Sequence, residues 1–154
     1  MGAAHFTKVP TVQKYREILN AIDKPFVLIG GEKDFANAQA IQENLGVSIH
    51  NYCGKTTLDI SALLIKRAQL VITPDTGMMH VAAAYKVPTV SLWGSTVPEF
   101  GMTPYYGDDK VPFLISEVKN LSCRPCSKIG YKDCPKKHFK CMNDIVEEEI
   151  LKAL

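Results

Sequence analysis

Short apolar runs alternate with amphipathic stretches along this chain, and that alternation constrains the fold more than any other feature. The apolar runs predict five buried strands, at residues 26–31, 47–54, 70–73, 89–94 and 112–115. The intervening stretches have apolar residues at helical spacing and predict helices at residues 12–22, 35–45, 58–68 and 79–86. Strands that alternate with helices of this length form parallel βαβ units. We therefore expect an α/β fold with an open parallel sheet, in which ligands bind at the carboxyl ends of the strands.

Composition narrows the class of protein further. A chain of 154 residues, 46% hydrophobic and 22% charged, is typical of one globular domain with its own core, and we expect residues 1–154 to form one domain. The net charge of +2 gives no support for a nucleic-acid partner. No apolar run approaches the ~20 residues that a membrane-spanning helix needs.

The amino-acid composition of the sequence changes after residue 95. Residues 96–107 are rich in Pro, Gly and aromatic residues, which indicates a long ordered loop. The segment at residues 119–141 carries seven Lys or Arg against one acid, and it holds four of the five cysteines. A final helix is predicted at residues 144–154.

The four cysteines of this segment have three possible interpretations. Cys123, Cys126, Cys134 and Cys141, with His138 between the last two, could form a structural Zn²⁺ site, because thiolates suit that ion. Two disulfides are a second alternative, one that is unusual in a cytosolic protein. Reduced cysteines packed in a compact loop are the third, and the spacing leaves all three open.

The sharpest local feature is the turn that follows the strand at residues 70–73. A helix N-terminus presents free amides and a partial positive charge, which suits a phosphate group. Thr76 adds a hydroxyl, Gly77 allows close approach to the backbone, and His80 lies one turn into the helix. Asp75 would repel a phosphate, so we expect it to cap the helix or to accept a hydrogen bond from a neighbour. The alternative is that Asp75 and His80 are purely structural.

Other strand ends are expected at the same edge. Glu32 follows the first strand and could accept hydrogen bonds from ribose, although a solvated turn residue is the simpler explanation. The backbone at Thr56 follows the second strand and could contact a base, while Thr57 is expected to cap the next helix. Lys8, expected just after the end of a strand, could neutralise a diphosphate.

These motifs, in this order, resemble the donor-binding half of a family 9 glycosyltransferase, the family that contains the lipopolysaccharide heptosyltransferases. The Asp75-Thr76-Gly77-x-x-His80 element is the most specific of them, and the loop at residues 92–98 looks like the Gly-x-Thr-x-Pro loop of the family. The other matching pieces are residues 4–8, 28–32 and 53–58, so the resemblance covers nearly the whole chain. It implies the Rossmann-like, nucleotide-binding half of the GT-B architecture, with an activated sugar such as ADP-heptose as the ligand.

The resemblance also implies a role for each matching residue. The donor-binding residues that it indicates are Thr7, Lys8, Gly31, Glu32, Thr56, Leu58, Asp75, Thr76, Gly77 and His80. Among these, Thr7 and Lys8 would contact the diphosphate, and Thr76, Gly77 and His80 would hold it at the helix N-terminus. Asp75 would lie beside the sugar diphosphate. Glu32 would meet the ribose, and Thr56 with Leu58 would border the adenine.

The implied reaction is metal-independent, inverting sugar transfer in lipopolysaccharide core biosynthesis. Metal-dependent enzymes commonly bind the leaving group through an Asp-x-Asp motif, in which a single residue separates two aspartates. This chain has no such motif. No cofactor is therefore required, and Lys8 and the helix amides would stabilise the leaving group. The general base and the lipid-linked saccharide acceptor would belong to an N-terminal domain, so we name no catalytic residue here and expect the chain alone to bind donor without transferring sugar. The implied location is the cytoplasm or the periphery of the inner membrane.

Two other functions remain open at this stage. Another GT-B-like nucleotide-sugar protein, such as a 2-epimerase, would share the fold but would need catalytic acids of its own. A non-catalytic α/β module with a structural metal site would use Asp75 and His80 only for packing. A dehydrogenase is disfavoured, because no Gly-x-Gly-x-x-Gly fingerprint follows the first strand.

Overall fold

Parallel strands alternate with helices through residues 12–117 of the structure. The computed structural model describes residues 1–43 and 45–152 of the chain. The strands are β1 (Phe26–Leu28), β2 (Ile49–Asn51), β3 (Val71–Pro74), β4 (Thr89–Trp93) and β5 (Phe113–Glu117). The helices are α1 (Val12–Ile22), α2 (Phe35–Gln42), α3 (Leu58–Lys66), α4 (Gly77–Ala84), α5 (Lys140–Asn143) and α6 (Glu147–Leu151).

Strand pairing is parallel throughout these strands, which confirms the predicted fold class. β1 pairs with β2, and β4 lies between β3 and β5. The strands therefore form two parallel sheets where the apolar pattern had suggested one. β1 ends at Leu28, but bonding to the β2 side continues from the amide of Gly54 to the carbonyl of Gly30 before the chain enters a 3-10 turn at Glu32–Asp34.

Helices cover both faces of the strands. Neighbouring residues of a strand point to opposite faces, and in β3 Ile72 packs against the larger apolar cluster whereas Val71 packs against the smaller one. The larger cluster contains buried residues of α1, α2, α5 and α6, among them Ile18 and Met142. The smaller cluster contains Ile65 of α3 and residues of α4. This two-sided packing leaves the carboxyl ends of the strands free to carry loops.

Several predicted boundaries hold, and others move by a few residues. α1 has the predicted bounds, because Thr11 caps its N-terminus by accepting from the amide of Lys14, and Asp23 ends it in the left-handed conformation. Thr57 caps α3 as expected. α2 ends at Gln42, and residue 44 of its predicted range lies outside the described residues. α4 begins at Gly77, two residues earlier than its periodicity suggests.

Both ends of the chain differ from expectation. Residues 1–5 form no strand, and Thr7 and Lys8 lie in a 3-10 turn at Phe6–Lys8. The predicted helix at residues 144–154 is confirmed only in part: α6 starts at Glu147, and residues 144–146 form a break between it and α5. The break occurs because the carbonyl of Ile145 accepts from the ammonium of Lys14 at 2.9 Å instead of from a helix amide. Residues 153–154 lie outside the described residues.

A helix that spans a bilayer needs about 20 consecutive, mostly apolar residues. Within the described part of the chain, no helix has both the length and the apolar character needed to span a membrane.

Candidate functional site

A buried carboxylate marks the carboxyl end of β3. Asp75 is only 5% exposed, and its Oδ2 accepts a hydrogen bond from Oγ1 of Thr96 at 2.9 Å. The ammonium of Lys8 lies 2.7 Å from the same oxygen. Asp75 therefore accepts from neighbouring donors, one of the two roles that the sequence suggested for it, and it does not cap the helix. The structure brings three chain segments together at this carboxylate, from the first ten residues, the end of β3 and the loop after β4.

The N-terminus of α4 lies directly after Asp75. Thr76 caps this eight-residue helix, and its hydroxyl accepts from the amide of Met78 at 3.2 Å. Gly77 is exposed, and a β-carbon placed on it would have no atom within 4 Å, so the space in front of the helix is open. His80 is also exposed, one turn into the helix. The free amides and the Lys8 ammonium make this a favourable place for an anion.

Thr7 has a different environment from the one the resemblance implies. Its side chain is 1% exposed, and its hydroxyl accepts from the amide of Tyr131 at 2.7 Å and from Oγ of Ser95 at 2.9 Å. The backbone of Thr7 is bonded to the same two residues. The contact between Thr7 and a diphosphate stays a prediction, and its burial favours an indirect role in holding the turn that carries Lys8.

The loop after β4 is held by an arginine from the cysteine-rich segment. The guanidinium of Arg124 donates to the carbonyl oxygens of Gly94 at 2.6 Å, Thr96 at 2.9 Å and Val118 at 2.7 Å, and it pairs with Glu117 at 2.9 Å. Its side chain is 6% exposed. Sequence reasoning missed this residue, because Arg124 is one of seven basic residues in its segment and no local pattern distinguishes it.

A second group of expected residues lies at the ends of β1 and β2. Gly54 has φ of 70°, and a β-carbon there would lie 2.9 Å from the Cα of Glu32, so the two loops pack backbone against backbone only because residue 54 is glycine. Glu32 and Gly31 are exposed, and the amide of Gly31 donates to Asp34. This packing brings the loop after β2 against the expected ribose-binding residues.

The expected base-binding residues lie further along the loop after β2. Oγ1 of Thr56 is 2.8 Å from Oγ of Ser61, so its hydroxyl is engaged with a side chain of α3. Leu58 is 65% exposed at the start of α3. The residues around Gly54 contact one another, and the residues around Asp75 contact one another. Both groups lie at the carboxyl ends of parallel strands.

All five cysteines are free thiols in the structure, so neither of the two disulfides considered above is present. Sγ of Cys123 lies 3.8 Å from Nε2 of His138, and Sγ of Cys126 donates to the carbonyl of Cys123 at 3.1 Å. Within residues 1–43 and 45–152, no three His, Cys, Asp or Glu side chains are grouped so as to hold a metal ion.

The thiols of the cysteine-rich segment differ in acidity. Burial raises the pKa of Cys141 to about 11. Burial, with a smaller contribution from neighbouring Cys123, also raises the pKa of Cys126. Burial of Cys134 acts in the same direction, but hydrogen bonds from the backbone at residues 136–139 outweigh it and lower the pKa of this thiol. Cys134 is therefore the thiol of this group whose anion the fold favours.

The parallel βαβ units and the loops at their carboxyl ends define an α/β domain of the Rossmann-like kind. Solved structures of GT-B heptosyltransferases share this fold. The chain belongs to glycosyltransferase family 9 (heptosyltransferase), whose family model matches residues 2–148. The family expected from the sequence motifs is thus confirmed.

A sequence relative agrees with this assignment, and solved structures share the fold. Lipooligosaccharide heptosyltransferase 2 of Campylobacter jejuni is 32% identical over 155 residues, which cover 97% of this chain and 43% of the relative. The structure of the E. coli ADP-heptose lipopolysaccharide heptosyltransferase II matches with a TM-score of 0.73 and 24% identity, over 99% of this chain and 43% of that one. The E. coli heptosyltransferase WaaC with ADP matches with a TM-score of 0.64 and 18% identity, over 99% and 42%. The chain spans less than half the length of these relatives.

Proposed function

We propose that this chain binds the nucleoside-diphosphate sugar donor of a heptosyltransferase, a molecule like ADP-heptose, at the carboxyl ends of its strands. The observation that carries the proposal is the cluster at Asp75, where Lys8 lies beside the open N-terminus of α4. The names of two relatives supply the ligand class, since one is an ADP-heptose heptosyltransferase and the other was solved with ADP.

Each of the three parts of the donor has a matching part of the site. The diphosphate would lie at the N-terminus of α4, against Thr76, Gly77 and His80, with Lys8 as a compensating cation. The sugar would lie near Asp75, whose carboxylate is already held by Lys8 and Thr96. The nucleoside would extend towards β1 and β2. There Gly31 and Glu32 would meet the ribose, while Thr56 and Leu58 would border the base.

This arrangement supplies one half of a glycosyl transfer. When the glycosidic bond to the diphosphate breaks, negative charge accumulates on the leaving phosphate, and an ammonium and helix amides stabilise that charge without a metal or another cofactor. Deprotonation of the acceptor hydroxyl requires a general base, which we assign to the part of the full-length enzyme beyond this chain. The acceptor would be a lipid-linked saccharide, and the full enzyme would work in the cytoplasm or at the periphery of the inner membrane.

Calorimetric titration of the chain with ADP tests the proposal. We expect saturable binding of ADP, and about tenfold weaker binding by Lys8→Met, which keeps the aliphatic stem but removes the charge. Lys110→Met is the matched control, because Lys110 is exposed on the loop before β5, at the opposite ends of the strands. Absence of ADP binding, or equal weakening by the two substitutions, would contradict the proposal.

A further inference from the structure

The ion pair between Lys8 and Asp75 is part of a longer series of contacts that begins in the cysteine-rich segment. The guanidinium of Arg124 binds the carbonyl of Thr96, and the hydroxyl of Thr96 donates to Asp75. Asp75 in turn holds the ammonium of Lys8. The side chains of Thr96, Asp75 and Arg124 are 7% exposed or less, so water competes little for these contacts.

We propose that Thr96 is a positioning residue of the donor site, which holds the carboxylate of Asp75 so that the Lys8 ammonium is aimed at the diphosphate. The inference rests on the proposed function and adds to it a residue that never touches the ligand. Both donors, Thr96 and Lys8, share the single oxygen Oδ2, so a carboxylate free to rotate would move the ammonium with it.

The stem of Lys8 is confined from another direction. Gly130 has φ of 97°, and a β-carbon on it would lie 3.1 Å from Cγ of Lys8, so the backbone of the cysteine-rich segment packs against the lysine stem. The turn that carries Lys8 is tied down by bonds between Thr7 and Tyr131. With its stem and backbone held, the remaining freedom of Lys8 is at its ammonium, the group that Asp75 and Thr96 control.

Preorganisation explains why such a contact affects binding. A free lysine side chain has many rotamers, and fixing them on binding weakens affinity for the ligand. In this protein the ammonium is placed before the ligand arrives. Loss of the Thr96 hydroxyl would leave Asp75 with one donor fewer and would let Lys8 adopt positions that do not meet a diphosphate.

The test compares two identical substitutions on either side of β4. Thr96→Val removes the hydroxyl that donates to Asp75. Thr89→Val removes an equally buried hydroxyl at the start of β4, where Oγ1 of Thr89 donates to the carbonyl of Val87 at 2.9 Å. Thr96→Ser keeps the hydroxyl and serves as the rescue variant. Thr96→Ala replaces Thr96→Val if the latter does not fold.

The readout is the affinity of each variant for ADP and for AMP, measured together with its Tm. We expect both valine variants to lose stability to a similar degree, but only Thr96→Val to bind ADP about tenfold more weakly. The affinity for AMP, which lacks the second phosphate, should change by less than about twofold. Thr96→Ser should retain the wild-type ADP affinity.

Each other outcome has a distinct meaning. Three results would overturn the positioning role and leave the proposed function intact. They are an unchanged ADP affinity in Thr96→Val, an equal loss of ADP affinity in Thr89→Val, and a loss of AMP affinity in Thr96→Val equal to its loss of ADP affinity. No ADP binding by the wild-type chain would overturn the proposed function and this inference with it.

Discussion

Among single residues, Cys134 has the environment with the clearest chemical consequence. Its sulfur receives backbone hydrogen bonds from residues 136–139, which lower the pKa of the thiol, whereas burial raises the pKa of Cys126. Both side chains are half-buried, so access to reagent is comparable. Because the thiolate is the reactive form, we expect iodoacetamide to alkylate Cys134 at lower pH than Cys126. Mass spectrometry of peptides alkylated over a pH series measures this difference.

The same samples decide between the interpretations of the cysteine-rich segment that remain open. A count of five titratable thiols after unfolding, with no bound zinc, corresponds to the free thiols of the structure. Stoichiometric zinc together with protection of Cys123, Cys126, Cys134 and Cys141 would show a structural metal site instead. Alkylation of Cys126 at lower pH than Cys134 would contradict the expected order of acidity.

What the sequence could predict at this scale depended on how local the cause was. The Thr57 cap and the start of a helix just after Asp75 were predictable, because the residues that form them lie within a few positions of one another. The partners of Asp75 itself, Lys8 and Thr96, are distant in sequence. The burial of Thr7 depends on Tyr131, which is 124 residues away. The role of Arg124 depends on the loop after β4, about 30 residues away in sequence. Such contacts leave no pattern in a single sequence.

Among the elements, the ion pair that joins α1 to α6 makes a contribution to stability that can be tested. The ammonium of Lys14, on α1, is 7% exposed and pairs with Glu17 at 2.8 Å and with Glu147 of α6. Burial acts to lower the pKa of Lys14, but the bonds to Glu147 and Glu17 outweigh it and raise that pKa. The same contact lowers the pKa of Glu17. This long-range tie, absent from any local pattern, is also why the last predicted helix is broken at Ile145.

We expect Lys14→Met to lower the free energy of unfolding by about 2 kcal/mol at pH 7, because the partly buried carboxylate of Glu147 loses its cation and the carbonyl of Ile145 loses its donor. The carboxylate of Glu17 is 40% exposed, so its share of this loss is small. A carboxylate whose pKa is lowered by folding stabilises the protein above its unfolded pKa, and this contribution is lost as the pH falls through the folded pKa. The difference between variant and wild type should therefore shrink below about pH 4. Urea denaturation at several pH values measures both effects.

The control for this prediction is the same substitution at an exposed ion pair. Lys86 lies 2.9 Å from Asp109, with the two side chains 60% and 47% exposed. We expect Lys86→Met to change the free energy of unfolding by less than about 0.5 kcal/mol. Two results would contradict a stabilising contact between α1 and α6. One is a similar loss of unfolding free energy in Lys14→Met and Lys86→Met, and the other is a Lys14→Met effect that does not depend on pH.

At the scale of the whole molecule, the apolar core and the strand-end site are built from one set of elements. Periodicity and apolar runs were sufficient to predict the parallel α/β fold, because helices and strands bury their faces in a regular way. They could not predict that the strands would divide into two sheets, since strand neighbours are chosen by tertiary packing. The motifs at the strand ends, that of residues 75–80 the most specific among them, together predicted the family whose model matches residues 2–148.

The chain spans less than half the length of its relatives, and this makes a last prediction possible. The cluster at Asp75 can bind and neutralise a diphosphate, but transfer also needs an acceptor held against the sugar and a base to deprotonate it. We therefore expect the chain to bind ADP and yet to form no glycosylated product from ADP-heptose and a lipid-linked acceptor, with the release of ADP followed over hours. A full-length family 9 heptosyltransferase assayed in parallel is the positive control. Product formation above the no-protein background would place a base and an acceptor site within these 154 residues, and the exposed side chains around the N-terminus of α4, His80 first, would then be the residues to replace.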